Sequence, residues 1–266
     1  MRTGTISILG CGWLGKPLGN FLARRGFAVK GSTTRTENFP QIVKFGISPY
    51  LLKVGESLEE KPGDFFSADV IILSIPPSTK TAPPEDFVKK ITVLRNHIAD
   101  KYREAKTIFI SSTSVYRVNR TPITESDEFV NRDSPLYNAE QLLREIDATI
   151  VRFAGLVGPG RHPGRFLSGK TTPGADEPVN LIHLNDCIGI LDQIIGLERW
   201  GRVYNACADK HPSRKEFYDH ACDLLELPRP VFTQEPGRGY KIISNEFLKR
   251  DLHYNFEFPD PLQMTY

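Results

Sequence analysis

Thr5-Ile-Ser-Ile-Leu-Gly10-Cys-Gly12-Trp-Leu-Gly15 reads as an apolar strand that passes through a tight turn into a helix. Gly10 permits the turn, Gly12 lets backbone come close to a pyrophosphate, and Gly15 lets the helix pack on the strand. Trp13 and Leu14 complete the cofactor turn, with Trp13 as a packing residue beside the phosphates. A lone Gly-x-Gly-x-x-Gly is weak evidence, and its setting between a strand and a helix is what gives it weight. The helix is expected from about Gly15 to Gly26, with Leu14, Leu18, Phe21 and Leu22 at helical spacing and Arg24-Arg25-Gly26 as its stop. A second strand, Phe27 to Thr34, follows at once.

The end of that second strand bears on the form of the cofactor. In the NAD version of the motif, an Asp or Glu about twenty residues past the glycines accepts from the adenosine ribose hydroxyls. Here the strand ends Ser32-Thr33-Thr34-Arg35, without a carboxylate. Thr34 and Arg35 suit a ribose 2′-phosphate, which a carboxylate would repel. NADP is therefore the expected cofactor, with NAD as the alternative and a solvated surface arginine as the alternative reading of Arg35.

Further along, Ile47 to Val54 reads as a third strand and Asp69 to Ile75 as a fourth, an unbroken apolar run suited to a parallel strand covered on both faces. Pro76 and Pro77 stop it. Ile75, Pro76 and Pro77 are expected beside the cofactor. A helix from about Pro84 to Lys101, a fifth strand Thr107 to Ser112, a helix around Leu136 to Glu145 and a sixth strand Ala148 to Phe153 complete the alternation. The fold class is α/β: a Rossmann-type doubly wound parallel sheet with a small C-terminal substrate lobe. Residues 1–158 form the dinucleotide-binding domain, completed by elements within about 179–207, and 159–178 with 208–266 form the lobe. Gly158 to Gly164 reads as an exposed turn-rich loop. Asn185 or Asp186 is placed to cap a helix from Cys187 to Leu197, and Ser213-Arg-Lys-Glu216 is a capping box. Arg202 to Cys207 reads as a further strand, and the tail from Pro228 as irregular but packed.

The 266 residues suffice for a large core, and 34 basic against 32 acidic side chains leave a net charge of +2 without a basic block. Neither nucleic acid nor an anionic membrane is called for. No stretch is long enough to span a bilayer and no charged-then-apolar leader precedes the first strand, so the cytoplasm is the expected compartment. Cys11, Cys187, Cys207 and Cys222 show neither Cys-x-x-Cys nor ligand spacing, and the six histidines are scattered, so no metal site is expected.

The fifth strand continues Ser111-Ser112-Thr113-Ser114-Val115-Tyr116, and Tyr137 stands twenty-one residues beyond Tyr116 at a helix start. That order, with Arg152-Phe-Ala154-Gly-Leu-Val-Gly158-Pro159 and Asn180-Leu-Ile-His183 through Asp186, resembles the extended short-chain dehydrogenase/reductases, the NAD-dependent epimerase/dehydratase family, over residues 5 to about 210. The resemblance implies that Ser112 hydrogen-bonds the substrate oxygen, that Tyr137 is the catalytic tyrosine, and that Ser111 and Ala154 lie near the nicotinamide. The family pattern is Tyr-x-x-x-Lys; here it is Tyr137-Asn-Ala-Glu140-Gln141. Gln141 can bond a ribose hydroxyl but brings no charge, and Glu140 disfavours a phenolate. An unassisted tyrosine, titrating near ~10, is a poor base at neutral pH. Gly12-Trp-Leu-Gly15, Ser74-Ile-Pro-Pro77, Tyr137-x-x-Ala-Glu140 and Gly158-Pro-Gly-Arg161 together resemble an atypical, YeeZ-like branch that has lost the lysine.

Two functions follow. One is an NADP-dependent oxidoreductase or epimerase of a small carbonyl or alcohol, with Ser112 and Tyr137 at the nicotinamide. The other is a cofactor-binding sensor without turnover, favoured by Gln141. Arg161 is a candidate anion contact for substrate, with a solvated loop arginine as the alternative. His183 reads as a satisfied core histidine, and Glu125 as a surface carboxylate that could otherwise orient the loop after the fifth strand. The short C-terminal lobe makes a sugar nucleotide a less expected substrate. Substrate identity and oligomeric state are not readable.

Overall fold

A computed structural model describes residues 4–58, 62–77 and 83–266. In chain order the first half runs β1 (Thr5–Leu9), α1 (Gly15–Arg24), β2 (Ala28–Thr33), α2 (Phe39–Lys44), β3 (Ser48–Leu51), β4 (Val70–Leu73), α3 (Pro84–Lys101), β5 (Lys106–Ser112), β6 (Asn119–Ile123) and α4 (Pro135–Arg144). The second half runs β7 (Thr149–Phe153), β8 (Gly155–Val157), α5 (Gly164–Leu167), β9 (Thr171–Thr172), β10 (Leu181–His183), α6 (Leu184–Gly196), β11 (Val203–Ala206), α7 (Arg214–Asp223), β12 (Val231–Phe232), β13 (Lys241–Ile243) and α8 (Glu246–Leu252).

Seven strands make the central sheet in the order β11-β7-β5-β4-β1-β2-β3. Chain order reverses at β1, with β2 on one side and β4 on the other, and both pairings are parallel. This reversal is the switch point at which doubly wound sheets open a crevice beyond the strand ends. The apolar runs explain the sheet's place in the core. All of β4 is buried, and Ile8, Ile71, Ile72, Ile108 and Phe109 have no exposed surface. Strands covered on both faces need no polar alternation.

Local chemistry sets the first turn and helix. Gly10 has φ +107°, and a Cβ there would stand 2.4 Å from the Ser74 carbonyl oxygen. A Cβ at Gly15 would meet the Gly10 carbonyl oxygen at 2.4 Å, so α1 approaches β1 as only glycine allows. Leu18 and Leu22 bury the core face of α1, and Gly26, at φ +99°, ends it with Phe27 N–H donating to the Leu22 carbonyl.

The chain divides into two compact units: residues 1–111, 132–151 and 194–203, and residues 112–131, 152–193 and 204–266. The expected division assigned 1–158 to one domain and only 159–178 and 208–266 to the lobe. The second unit instead takes the segment after β5, everything from Arg152 to Gln193, and most of β11. Val157, Val179, Leu181, Phe217 and Met264 form one core cluster there.

Three expectations about elements are corrected. The third strand is only Ser48–Leu51. The tail from Pro228 is not irregular, since β12, β13 and α8 fall in it. Helix α6 begins at Leu184, three residues before the expected start. Its first turn is capped by His183, whose Nδ1 accepts the Asn185 N–H at 3.2 Å. Asp186 is instead a buried anchor: its carboxylate accepts from the Tyr254 hydroxyl and from the N–H groups of Glu257 and Phe258. No helix among the described residues is long and apolar enough to cross a membrane.

Candidate functional site

Beyond the ends of β1 and β4, within the first unit, lies a cavity of 380 Å³. Of the residues expected at a cofactor, Gly10, Gly12, Thr34, Ile75 and Pro76 line it. At Gly12 a Cβ finds nothing within 4 Å, so the space beside this glycine is open. That is the cradle a pyrophosphate needs. Gly15 and Leu14 are buried instead, Trp13 is half-buried, and neither these nor Pro77 are among the lining residues.

The turn is held from β2. Gly10 N–H donates to Ser32 Oγ at 3.0 Å and Cys11 N–H to the Ser32 carbonyl at 2.9 Å. Cys11 lines the cavity as a thiol, its pKa pushed up to about 12 by burial. One residue on, the Thr33 hydroxyl accepts the Arg35 N–H at 3.3 Å and the Asn38 side-chain amide at 3.0 Å. With two donors already on the oxygen, Thr33 has only its own proton to offer. Arg35 is exposed and does not line the cavity. Sequence reasoning missed Asn38, Leu52, Val54, Asp86, Phe87 and Lys90, which do. Their only sequence signals were their positions after β2, after β3 and in the first two turns of α3.

Helix α4 carries the tyrosine pattern. Tyr137 is 6% exposed. Gln141 Nε2 is buried without a hydrogen-bond partner among the described residues, an orphaned donor of the kind a ribose hydroxyl would satisfy. Glu140 is fully buried and accepts the Ser111 hydroxyl at 2.5 Å. The Ser111 hydroxyl is thus engaged inside the protein, and its expected cofactor contact does not run through that proton. Ser111, Tyr137 and Gln141 belong to the first unit, and Ser112, Ala154 and Arg161 to the second.

In the second unit, Ser112 Oγ accepts the Ser114 N–H at 3.1 Å, which caps the turn Thr113–Val115 and leaves the hydroxyl proton to donate elsewhere. Ala154 N–H is taken by the Ala206 carbonyl at 2.9 Å. Arg161 N–H closes a turn on the Gly158 carbonyl, and its side chain is exposed. Tyr116 is the centre of a buried network that motif reading did not isolate. Its hydroxyl receives Arg152 Nη1 at 2.6 Å and donates to Asn205 Oδ1 at 2.8 Å, and the guanidinium carbon lies 4.9 Å from the ring centroid. Burial pushes the Tyr116 pKa up to about 12, and Arg152 opposes the rise. Glu125 is not a surface carboxylate: it accepts the Asn205 N–H at 2.9 Å, and burial raises its pKa above the usual glutamate value. His183, 1% exposed, bonds the Thr265 carbonyl through Nε2 at 2.9 Å, in keeping with a satisfied core histidine.

No protein-family model matches the chain. It is 36% identical to protein YeeZ of Escherichia coli K12 over 270 residues, which cover 97% of this chain and 98% of YeeZ. Among solved structures, a functionally unknown conserved protein from Silicibacter pomeroyi superposes with a TM-score of 0.81 at 21% identity, over 97% of this chain and 95% of that one. The dTDP-glucose 4,6-dehydratase of Bacillus anthracis, in complex with NAD, superposes with a TM-score of 0.76 at 16% identity, over 97% and 94%. Near-complete coverage by a relative at that identity, on a sheet of this order, means that the chain belongs to the YeeZ family, built on the fold of the NAD-dependent epimerases and dehydratases.

Proposed function

We propose that this protein binds NADP in the cavity over Gly12 and acts as an oxidoreductase or epimerase on a small carbonyl or alcohol. The observation that carries the NADP reading is the end of β2, where donors stand and no carboxylate does. Thr33 already accepts two hydrogen bonds, Thr34 and Arg35 add further donors, and the segment Ser32–Arg35 has no carboxylate to receive the ribose diol of NAD. Such a site favours an acceptor-rich 2′-phosphate. The open space over Gly12 and the orphaned Gln141 amide also suit a dinucleotide. NAD in the Bacillus anthracis dehydratase supports a nicotinamide cofactor without deciding between the two forms.

The bound nicotinamide would supply hydride transfer to or from the substrate carbon. Ser112 would donate its hydroxyl proton to the substrate oxygen, since its acceptor side is engaged by Ser114. Tyr137 would exchange the proton of that oxygen. A neutral tyrosine is already the right acid for carbonyl reduction, so replacement of the family lysine by Gln141 harms reduction less than oxidation. That replacement is also what favours the second reading, a sensor of NADP(H) without turnover.

Calorimetric titration with NADP and NAD tests the assignment. A charge-assisted contact worth about 1.5–3 kcal/mol predicts a preference for NADP on the order of tenfold to a hundredfold, reduced in Arg35→Ala. Equal affinity for the two dinucleotides would return Arg35 to the plain surface.

A further inference from the structure

Lysines of the second unit meet aspartates at several places: Lys210 lies 2.9 Å from Asp260, Lys215 2.6 Å from Asp219 and Lys249 2.9 Å from Asp209. Lys241, on β13, is held differently. Its Nζ donates to the Tyr116 carbonyl at 2.9 Å, and no carboxylate among the described residues pairs with it. The side chain is half-buried, and burial lowers its pKa below the ordinary lysine value with no acid beside it to offset the loss. An ammonium has three N–H donors, of which the carbonyl takes one. A cation partly withdrawn from water favours a counter-charge.

Its surroundings hold it in place. β13 pairs in parallel with β6, and the register breaks between Lys241, opposite Asn119, and Ile242, opposite Pro122. Irregularities of this kind re-aim side chains beside sites. Asn180 fixes the strand, its amide donating to the Lys241 carbonyl at 2.8 Å while its Oδ1 accepts the Ile243 N–H at 3.0 Å. The Tyr116 carbonyl is equally fixed, because the Tyr116 side chain is locked between Arg152 and Asn205. Tyr116 stands four residues after Ser112.

We infer that Lys241 binds an anionic group, a carboxylate or a phosphate, of the small molecule whose oxygen Ser112 receives. This rests on the reading of Ser112 given above and narrows the substrate to a carbonyl or carbinol compound that carries a negative charge. An anion on Nζ fills the donors that Tyr116 leaves over and supplies the missing counter-charge.

The test uses the full chain with 13C-labelled lysine Cε carbons and identifies the Lys241 signal by its loss in Lys241→Arg. Inorganic phosphate and malonate are titrated separately at ionic strength held constant with NaCl. The Lys241 signal should shift and saturate, with its apparent pKa rising, at concentrations about tenfold below those that move exposed lysines. Stabilisation by the same anion in thermal unfolding should be retained in Lys241→Arg and lost in Lys241→Met. Saturation by phosphate alone identifies a phosphate ester, and by malonate alone a carboxylate. No saturable response of the wild-type signal to either anion overturns the inference, whatever the variants do. NADP binding without an anion response defeats this inference alone, whereas an anion response without NADP binding defeats the dinucleotide reading alone.

Discussion

A Cβ added at Gly12 would meet no atom within 4 Å, and Gly12 lines the cavity. Gly12→Val should therefore leave the unfolding midpoint close to wild type while abolishing dinucleotide binding. Calorimetry alongside denaturant unfolding checks both halves, and undiminished NADP affinity in the variant would remove the pyrophosphate from this turn. Gly10 and Gly15 behave differently, because a Cβ at either meets a carbonyl oxygen at 2.4 Å. At Gln141 the expectation concerns chemistry. Gln141→Lys puts an ammonium where the orphaned amide now lies and should lower the phenol pKa of Tyr137. NADP-linked oxidation of small alcohols at neutral pH should then rise more than NADPH-linked carbonyl reduction, since only oxidation needs the phenolate. Activity that survives Tyr137→Phe would show that another group carries the proton, and absent turnover in every variant would favour the sensor.

Among the elements, α6 is the one whose start the sequence hid. Asn185 and Asp186 are good capping residues by type, yet the cap is His183, which works only as a neutral ring: Nδ1 accepts from Asn185 N–H, so Nε2 carries the proton that goes to the Thr265 carbonyl. Burial lowers the His183 pKa. A depressed histidine contributes stability that is fully present above the unfolded value near 6.5 and is lost as pH falls through the folded value. Unfolding monitored from pH 7 to pH 5 should show a declining midpoint, in which His97, His162 and His211, shifted the same way, take part. His183→Asn preserves a capping acceptor without the titration and should flatten the decline. An unchanged slope would assign the proton uptake to the other three. What could be read beforehand follows the same physics. Strands buried on both faces announce themselves by unbroken apolar runs, as in Val70–Leu73, and the glycine turn by close approach. The cavity's far wall, Asn38, Phe87 and Lys90, depends on how loops and α3 meet in space, and no spacing in the chain encodes that. Glu125 looked superficial for the same reason, since its partner Asn205 is eighty residues away.

For the molecule as a whole, the two units are drawn from three segments each. NADP held in the cavity of the first unit should stabilise the folded chain by about 2.7 kcal/mol at one hundred times its dissociation constant. Denaturant unfolding with and without NADP measures this, and calorimetric binding with no shift of the midpoint would mean that the transition observed belongs to the second unit. The interleaving also has a consequence for the way the protein is made. The Ile150 N–H at the outer side of β7 finds its acceptor only in Arg202. At about 5–20 residues per second, a ribosome needs roughly 3–12 s to go from the end of α4 at Arg144 to that arginine. For all that time the glycine turn, the apolar strands and the helix of Tyr137 have emerged without residues 194–203, which complete their unit. A nascent chain in that position presents the unpaired edge of a strand that is wholly buried in the finished protein, so its yield in the cell should depend on chaperone supply far more than the stability of the finished protein would suggest.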